Sequence, residues 1–426
     1  MYKIYVDEKG TQYSYKQNSD GKGIRMAGDK METFICSAIA IPMMKENAVK
    51  NDFLSIENTL IEKYYGNSKD TKYNKEIKTS YLFKRKKFKY GFNSSNNKEL
   101  SYANEILDLC LKHELSICNA SVHKIGTIIS TRLKEWILRI NKKFDYPDEL
   151  LLYYSLTKYL QNNASKDVYN KLFDTRINSY ELLQEIKKDL NNIINENIGN
   201  KRMEKQVSNY KGLLTYIKQS KNLNFNSNFT TEYKMDWDKI IFQIESWLNK
   251  NMSENFTEIN NSDIYLDNGL PKEEFEKLNV KNVYDGLDSK EYYGLRIADF
   301  IAVIVGNYIS LLSEHSKHDE NDLTKIIRLD SNWFNSSIQQ FKMIKKLSRI
   351  LLEENNSVIK NDVFFDDTFH FELYLKYYNT FDNYSDFQKI TSDKHSEYFF
   401  CFAAKHITTK YTELQHKGID NIENII

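Results

Sequence analysis

The chain has 426 residues, of which 41% are hydrophobic, so it can bury a substantial core, and its length allows two or three domains. Its 60 basic and 59 acidic residues leave a formal net charge of +1. This balance excludes recruitment of nucleic acid by the overall field of the protein and leaves only local basic patches for that role.

The sequence predicts a cytoplasmic protein without a membrane-spanning segment. No uninterrupted apolar run approaches the roughly 20 residues of a membrane span. The N-terminus begins with a strand pattern and not with a signal peptide. The four cysteines, Cys36, Cys110, Cys118 and Cys401, lack the C-x-x-C spacing of a zinc knuckle or a redox pair, which predicts core thiols.

The first predicted element is a strand at residues 2–9 that ends in two acids. Alternation places Tyr5 and Asp7 on one face, so Asp7 reaches the strand end while the next residue, Glu8, leaves on the opposite face. Residues 33–42 form a nearly continuous apolar run, which is typical of a central strand covered on both faces. Helical spacing predicts helices at 46–65 and 100–113, and alternation predicts a strand at 115–122.

The second half of the chain repeats the pattern of an apolar segment that ends in an acid. Residues 127–255 have an almost wholly helical pattern and are interpreted as an insertion. A strand at 262–269 ends near Asp267, and an edge strand at 280–284 leads into a long apolar helix that contains Asp299. Residues 315–426 are mostly helical, and their many aromatic residues predict a packed core of their own.

Asp299 is the most informative position because it lies within an otherwise apolar helical run. Burying an unpaired polar group costs several kcal/mol, of order 1–7, so such an acid usually meets a proton, a cation or a metal. The alternative is an ion pair with Arg296, one turn earlier. Each of the other acids also has a plainer interpretation. Asp7 and Glu8 suit a strand-to-turn pair, and Asp267 suits an Asp-Asn-Gly turn.

Three short motifs occur in this order: Asp7-Glu8-x-Gly10, then Glu76-x-Lys78, then Asp288-Ser289-Lys290 followed by Gly294-Leu295-x-Ile297-Ala298-Asp299. Together they resemble the bacterial "domain of unknown function" family 3800, over residues 1–125 and 260–312. The chain departs from the family pattern at Lys9, where serine is usual, and at Arg296, where glutamine is usual.

The resemblance and the order of elements imply an α/β fold of the ribonuclease-H-like type, with a mixed sheet flanked by helices. The core would comprise residues 1–126 and 256–314, interrupted by a helical insertion at 127–255 and followed by a helical C-terminal region at 315–426. The resemblance also implies a nuclease, in a setting of defence against phage or mobile elements.

The implied chemistry is phosphodiester hydrolysis by two Mg²⁺ or Mn²⁺ ions about 3.5–4 Å apart, which are held by hard oxygen ligands. Asp7, Glu76, Asp267 and Asp299 are the predicted catalytic ligands, with Asp7 as the bridging one. Glu8 is predicted as a further metal ligand and Lys78 as a catalytic cation that neutralises a phosphate oxygen or the leaving group. A solvated loop ion pair is the alternative for Glu76 and Lys78.

Further residues are predicted to hold a nucleic-acid or nucleotide substrate by its backbone: Ser289, Lys290, Arg296, Lys84 and Arg85. For the last two, which lie in a run of basic residues, the alternative is a solvated surface. The histidines His113, His123, His315, His318 and His370 lack metal-ligand spacing with an acid. The rival hypothesis is a non-catalytic module on the same fold that binds a nucleotide or a protein, and a partner or a homodimer is expected to use the insertion or the C-terminal region.

Overall fold

The fold is taken from a computed structural model that describes residues 1–12, 15–17, 19, 21, 24, 25, 31–65, 77–144, 149–174, 176–220, 223, 233, 235–251, 259–316, 328–353, 357–360 and 366–416. The strands of this part of the chain are β1 (Tyr2–Lys9), β2 (Lys16–Gln17), β3 (Ile24–Arg25), β4 (Thr33–Pro42), β5 (Lys89–Phe92), β6 (Ser116–His123), β7 (Asp263–Asp267), β8 (Asn282–Leu287) and β9 (Val358–Ile359).

In the same described part of the chain, the α-helices outnumber the strands. They are α1 (Glu46–Tyr65), α2 (Thr79–Leu82), α3 (Asn97–Lys112), α4 (Lys124–Phe144), α5 (Glu149–Asn162), α6 (Lys166–Phe173), α7 (Ser179–Glu196), α8 (Glu204–Gln219), α9 (Trp237–Asn251), α10 (Lys272–Phe275), α11 (Tyr293–His315), α12 (Ile338–Ser348), α13 (Asp366–Asn379), α14 (Tyr384–Phe387) and α15 (Ser392–His416). The predicted helix at 46–65 matches α1, and the predicted strands at 115–122 and 262–269 match β6 and β7 to within two residues.

The central sheet has six strands in the order β8-β7-β1-β4-β6-β9. β4 is antiparallel to both β1 and β6, whereas β7 is parallel to β1 and to β8. β1 therefore lies inside the sheet with a neighbour on each side, and residues 4–7 of this strand are all buried. This confirms an α/β fold with a mixed sheet flanked by helices.

The two faces of the sheet pack against different helices. Ile4 and Val6 face a core that contains Ile244 and Trp247 of α9. Tyr5 faces the opposite core, which is formed with residues of α1, α3 and α11. Alternation therefore assigns Asp7, two residues after Tyr5, to the face that α11 covers, and Glu8 to the face that α9 covers.

Helix α11 crosses β1 and β4 at the centre of the molecule. Within the described part of the chain it is the one helix long and apolar enough to span a membrane, with a mean hydropathy of 1.7 over its most apolar 18 residues. Because 94% of that window is buried inside the fold, α11 is the core helix of the protein.

The helices of the predicted insertion divide between two cores. Helices α4 to α8 share a separate hydrophobic core that includes Trp136, Leu156 and Leu190. Helix α9 also lies within residues 127–255, but it packs on the sheet. The part of the insertion that has its own core therefore ends before α9.

The C-terminal region does not form a core of its own, contrary to the sequence-based expectation. Trp333, Tyr374 and Phe399 belong to the same hydrophobic core as Ile301 and Tyr308 of α11. Strand β9 also pairs with β6 at the edge of the sheet. The expectation was wrong because the apolar face of α11 is wide enough to require a second layer of helices, which this region supplies.

Candidate metal centre

Two of the predicted acids lie side by side where the parallel strands β1 and β7 end. Val6 pairs with Leu266, so the next residues along the two strands are Asp7 and Asp267. Side chains at paired positions of neighbouring strands point to the same face of a sheet. Asp7 is 7% exposed, and Asp267 is partly buried.

Helix α11 brings Asp299 to the same place because two glycines allow it to approach β1 closely. A Cβ atom at Gly294 would lie 2.3 Å from ring carbons of Tyr5, and one at Gly306 would lie 2.8 Å from Cγ of Lys9. Asp299 stands between these two contacts along the helix, as Asp7 stands between Tyr5 and Lys9 along the strand. The helix therefore holds Asp299 over the end of β1.

Glu8 leaves β1 on the opposite face but is close enough for the charges of Asp267 and Asp299 to raise its pKa, and we call Asp7, Glu8, Asp267 and Asp299 the acidic group. The backbone N–H of Glu8 donates a hydrogen bond of 2.6 Å to Oδ1 of Asp7. The Oε2 atom of Glu8 is buried and has no hydrogen-bond partner. A buried acceptor in this position is costly unless a proton or a cation meets it.

The four carboxyls perturb one another. Burial raises the pKa of Asp7 well above its usual range, and the charges of Asp299, Glu8 and Asp267 raise it further. Burial followed by the charge of Asp267 raises the pKa of Glu8 to about 7. Burial is also the main reason that the pKa values of Asp267 and Asp299 are raised. The site therefore favours protons or cations as counter-charges.

Two lysines supply positive charge beside the acidic group. The charge of Lys78 opposes the rise in pKa of both Asp267 and Asp299, and Lys9 does the same for Asp299. Nζ of Lys78 donates a hydrogen bond of 3.0 Å to Oγ of the buried Ser289. The structure thus brings Lys78 and Ser289 to the acids, as the sequence predicts. Sequence reasoning missed Lys9 as a member of the site, although its position in the first motif was the available signal.

Arg296 is a correction to the predicted substrate-binding set. Its guanidinium is buried, forms an ion pair with Glu57 of α1 and lies 4.9 Å from the ring centroid of Phe53. The side chain of Arg296 is 7% exposed, so it cannot hold a substrate that arrives from solvent. The alternative, an ion pair of Arg296 with Asp299, is also not what the structure shows, because the guanidinium points to α1.

The remaining predicted substrate residues lie on the surface. Arg85 forms an ion pair with Glu314, which is 15 residues along α11 from Asp299 and therefore about 22 Å away. The Lys84 ammonium lies 5.5 Å from the ring centroid of Tyr81. Lys290 is exposed, and its backbone N–H donates to the carboxylate of Asp288. These positions place Arg85 outside any contact with the acidic group.

Glu76, the remaining predicted ligand, lies outside the described residues. The described chain resumes at Ile77, whose N–H donates to Oε1 of Glu57. Thr79 follows at the start of α2, and its polar groups oppose the rise in the pKa of Asp299. The described residues Ile77 and Thr79 are therefore held by Glu57 and next to Asp299, respectively.

The acidic group suits hard divalent cations in its donor chemistry. All of its donors are carboxylate oxygens, which Mg²⁺ and Mn²⁺ prefer, and the buried Oε2 of Glu8 is available as a ligand. The described chain contains one set of three ligand residues whose donor atoms all lie within 4.8 Å of one another, and that set is a different one: Glu32, His123 and Asp367. The acidic group thus concentrates charge without forming a closed cage of ligands.

Comparisons with protein-family models, with curated proteins and with solved structures give no match for this chain.

Proposed function

We propose that the protein is a metal-dependent nuclease that hydrolyses phosphodiester bonds with two Mg²⁺ or Mn²⁺ ions. The observation that carries the proposal is the convergence of four acids from three distant segments at one end of the central strands, where burial and the charges of Asp299, Glu8 and Asp267 raise the pKa of Asp7. Such a concentration of buried negative charge is a feature of functional sites.

The topology supports a ribonuclease-H-like core for this proposal. Three antiparallel strands, β1, β4 and β6, are followed along the chain by β7 and β8, which add in parallel on the other side of β1. The acids lie at the end of the central strand and in the helix that crosses it. This is the arrangement that the resemblance to family 3800 implies.

Each side chain has a defined task in the proposed reaction. Asp7, whose pKa is raised by the charges of the other three acids, would be the bridging ligand, and Glu8, Asp267 and Asp299 would supply the remaining carboxylate oxygens. When bound, the two ions make a water nucleophilic at neutral pH and stabilise the leaving oxygen. Lys78, oriented by its hydrogen bond to Ser289, neutralises a phosphate oxygen beside them.

A row of stacked tyrosines favours a substrate with unpaired bases. Tyr5, Tyr265 and Tyr284 occupy paired positions on three parallel strands, with ring centroids 5.0 and 5.1 Å apart. Tyr284 stands on the edge strand and is 42% exposed. The row shares its sheet face with Asp7 and Asp267, which lie two residues further along β1 and β7. Base stacking on such a ring contributes about 1–3 kcal/mol per base and tolerates any sequence.

The direct test is a cleavage assay on labelled single-stranded DNA and RNA with Mn²⁺, comparing Asp7→Asn and Asp299→Asn with wild type. We expect both variants to lose activity about 100- to 1,000-fold, since metal-based stabilisation contributes several kcal/mol. Asp108→Asn, which changes an exposed acid paired with Lys346, is the matched control and keeps activity. Unchanged cleavage in both site variants would refute the assignment.

The tyrosine row has a separate test. Tyr284→Ala is expected to raise KM roughly 5- to 100-fold with little change in kcat, because it removes one stacking surface and leaves the acids in place. Tyr398→Ala is the control, since this tyrosine is 51% exposed and lies on α15. Equal KM values for wild type and Tyr284→Ala would show that the row only stabilises the sheet.

The alternative function is a non-catalytic module that binds a nucleotide or a protein. It is favoured by the observation that Asp7, Asp267 and Asp299 are not the residues whose donor atoms gather within 4.8 Å in the described chain. Calorimetric titration with Mn²⁺ distinguishes the two functions. Binding that disappears in Asp7→Asn supports the nuclease, and the absence of Mn²⁺ binding in the wild type supports the binding module.

A further inference from the structure

A second set of metal-ligating side chains lies at the same end of the strands as the acidic group. It is centred on β6, two strands away from β1. Glu32 directly precedes β4, His123 ends β6, and Asp367 lies at the start of α13. The register pairs Thr33 with His123, so Glu32 and His123 are brought together by neighbouring strand ends. We call Glu32, His123 and Asp367 the Glu-His-Asp cluster.

The geometry of this cluster is close to that of a coordination site. Each residue offers one donor atom, and the three donors lie within 4.8 Å of one another. A triangle with sides of 4.8 Å has a centre about 2.8 Å from each corner, which is about 0.6–0.8 Å beyond zinc–nitrogen and zinc–oxygen bonds of about 2.0–2.2 Å. Nε2 of His123 already lies 3.8 Å from Oδ2 of Asp367.

The surroundings hold the ligands in place. His123 is 3% and Asp367 is 8% exposed, whereas Glu32 is partly buried. Oγ1 of Thr33 donates a hydrogen bond of 3.3 Å to Oδ2 of Asp367, and Nε2 of Gln161 donates one of 2.5 Å to Oε2 of Glu32. Hydrogen bonds from neighbouring residues to ligating carboxylates orient them and are a regular feature of metal sites.

We propose that Glu32, His123 and Asp367 bind one divalent transition-metal ion of the zinc class. An imidazole nitrogen with two carboxylate oxygens suits Zn²⁺ better than Mg²⁺, which takes oxygen ligands. Three protein ligands leave a fourth position of the tetrahedron for water. The ion connects the ends of two strands to the first turn of α13 and so fixes the C-terminal region to the sheet. This proposal is independent of the proposed nuclease function, because no member of the acidic group belongs to it.

The experiment uses the full chain, stripped with a chelator and dialysed, and titrates it with Zn²⁺ by calorimetry and with Co²⁺ by visible absorption. We expect one tight Zn²⁺ site per chain in addition to any ions held by the acidic group, a Co²⁺ spectrum with d–d bands, and a rise in the midpoint of thermal unfolding on adding Zn²⁺. Asp367→Asn and His123→Gln are expected to weaken Zn²⁺ binding at least 100-fold. Asp108→Asn, which changes an exposed acid outside both sites, is the matched control and keeps Zn²⁺ binding.

Glu32→Gln is the variant most expected to fold normally, because Glu32 is partly exposed whereas His123 and Asp367 are buried. It is expected to weaken Zn²⁺ binding with an unchanged circular dichroism spectrum. Absence of Zn²⁺ and Co²⁺ binding by the wild type overturns the proposal. Zn²⁺ binding that survives all three substitutions, or that is lost in Asp7→Asn alone, overturns it as well.

Discussion

Replacing Glu8 with glutamine is expected to stabilise the metal-free protein above about pH 4.5. The folded protein holds a proton on Glu8 up to about pH 7, whereas an unfolded glutamate releases it near its ordinary pKa of 4.5. Between these values the folded state binds more protons, so the free energy of unfolding falls as the pH rises. Glutamine keeps the shape of the side chain and removes this loss.

The size of the effect follows from the pKa of Glu8. A rise from 4.5 to about 7 corresponds to about 3 kcal/mol at about 1.36 kcal/mol for each tenfold change in the acid constant. The contribution of Glu8 to the free energy of unfolding is fully present below its unfolded pKa of 4.5 and is lost progressively up to about pH 7. The variant should therefore match wild type near pH 4.5 and exceed it by up to about 3 kcal/mol near pH 8.

Equilibrium unfolding in urea, followed by circular dichroism with EDTA present, measures this difference once refolding has been shown. The matched control is Glu397→Gln, because its acid is exposed and its pKa is lowered by Lys394. The control should follow the pH dependence of wild type across the window. Parallel curves for wild type and Glu8→Gln would refute the argument that burial and the charge of Asp267 destabilise the ionised form of Glu8. Added Mn²⁺ should reverse the order, since wild type offers one more ligand.

Two further substitutions test the packing that positions the site, with urea unfolding as the readout. Gly294→Ala would place a Cβ 2.3 Å from the ring of Tyr5 and should cost about 1–3 kcal/mol, whereas Gly212→Ala, which has nothing within 4 Å of the new Cβ, should gain about 0.5–1 kcal/mol. If both substitutions changed the free energy of unfolding in the same direction, the close approach of α11 to β1 would be contradicted. Arg296→Met should cost about 3–5 kcal/mol because it leaves Glu57 charged and buried, and adding Glu57→Leu should recover most of this loss. Additive losses in the double variant would show that the two side chains act separately.

Local patterns in the sequence predict the elements that carry the acids. Alternation assigned Asp7 to the end of β1, and an apolar run that ends in an acid located Asp267 at the end of β7. These features depend on residues close in sequence, so a single chain contains the information. The charge of Asp267 raises the pKa of Asp7 because β1 and β7 pair in parallel, and only the structure shows this pairing.

Long-range partners were not predictable in the same way. Arg296 was expected at the substrate, but its partner Glu57 lies 239 residues earlier, on a helix with no motif that points to it. The Glu-His-Asp cluster was passed over because His123 has no acid at ligand spacing; its partners come from separate segments. The packing of the C-terminal helices on the core of α11 was not predictable for a similar reason. Aromatic content indicates that residues are buried but does not indicate what they pack against.

The position of β1 in the sheet affects how the protein is made. One edge of β1 pairs with β4 early in synthesis, but the other waits for β7, and the N–H of Tyr2 bonds to the hydroxyl of Ser262 across 260 residues. At roughly 5–20 residues per second the ribosome needs about 13–50 seconds to make that stretch. During this interval the nascent chain exposes an open strand edge that can pair with other chains. Helices α4 to α8 can fold meanwhile around their own core, and the acidic group assembles only after residue 299 has emerged.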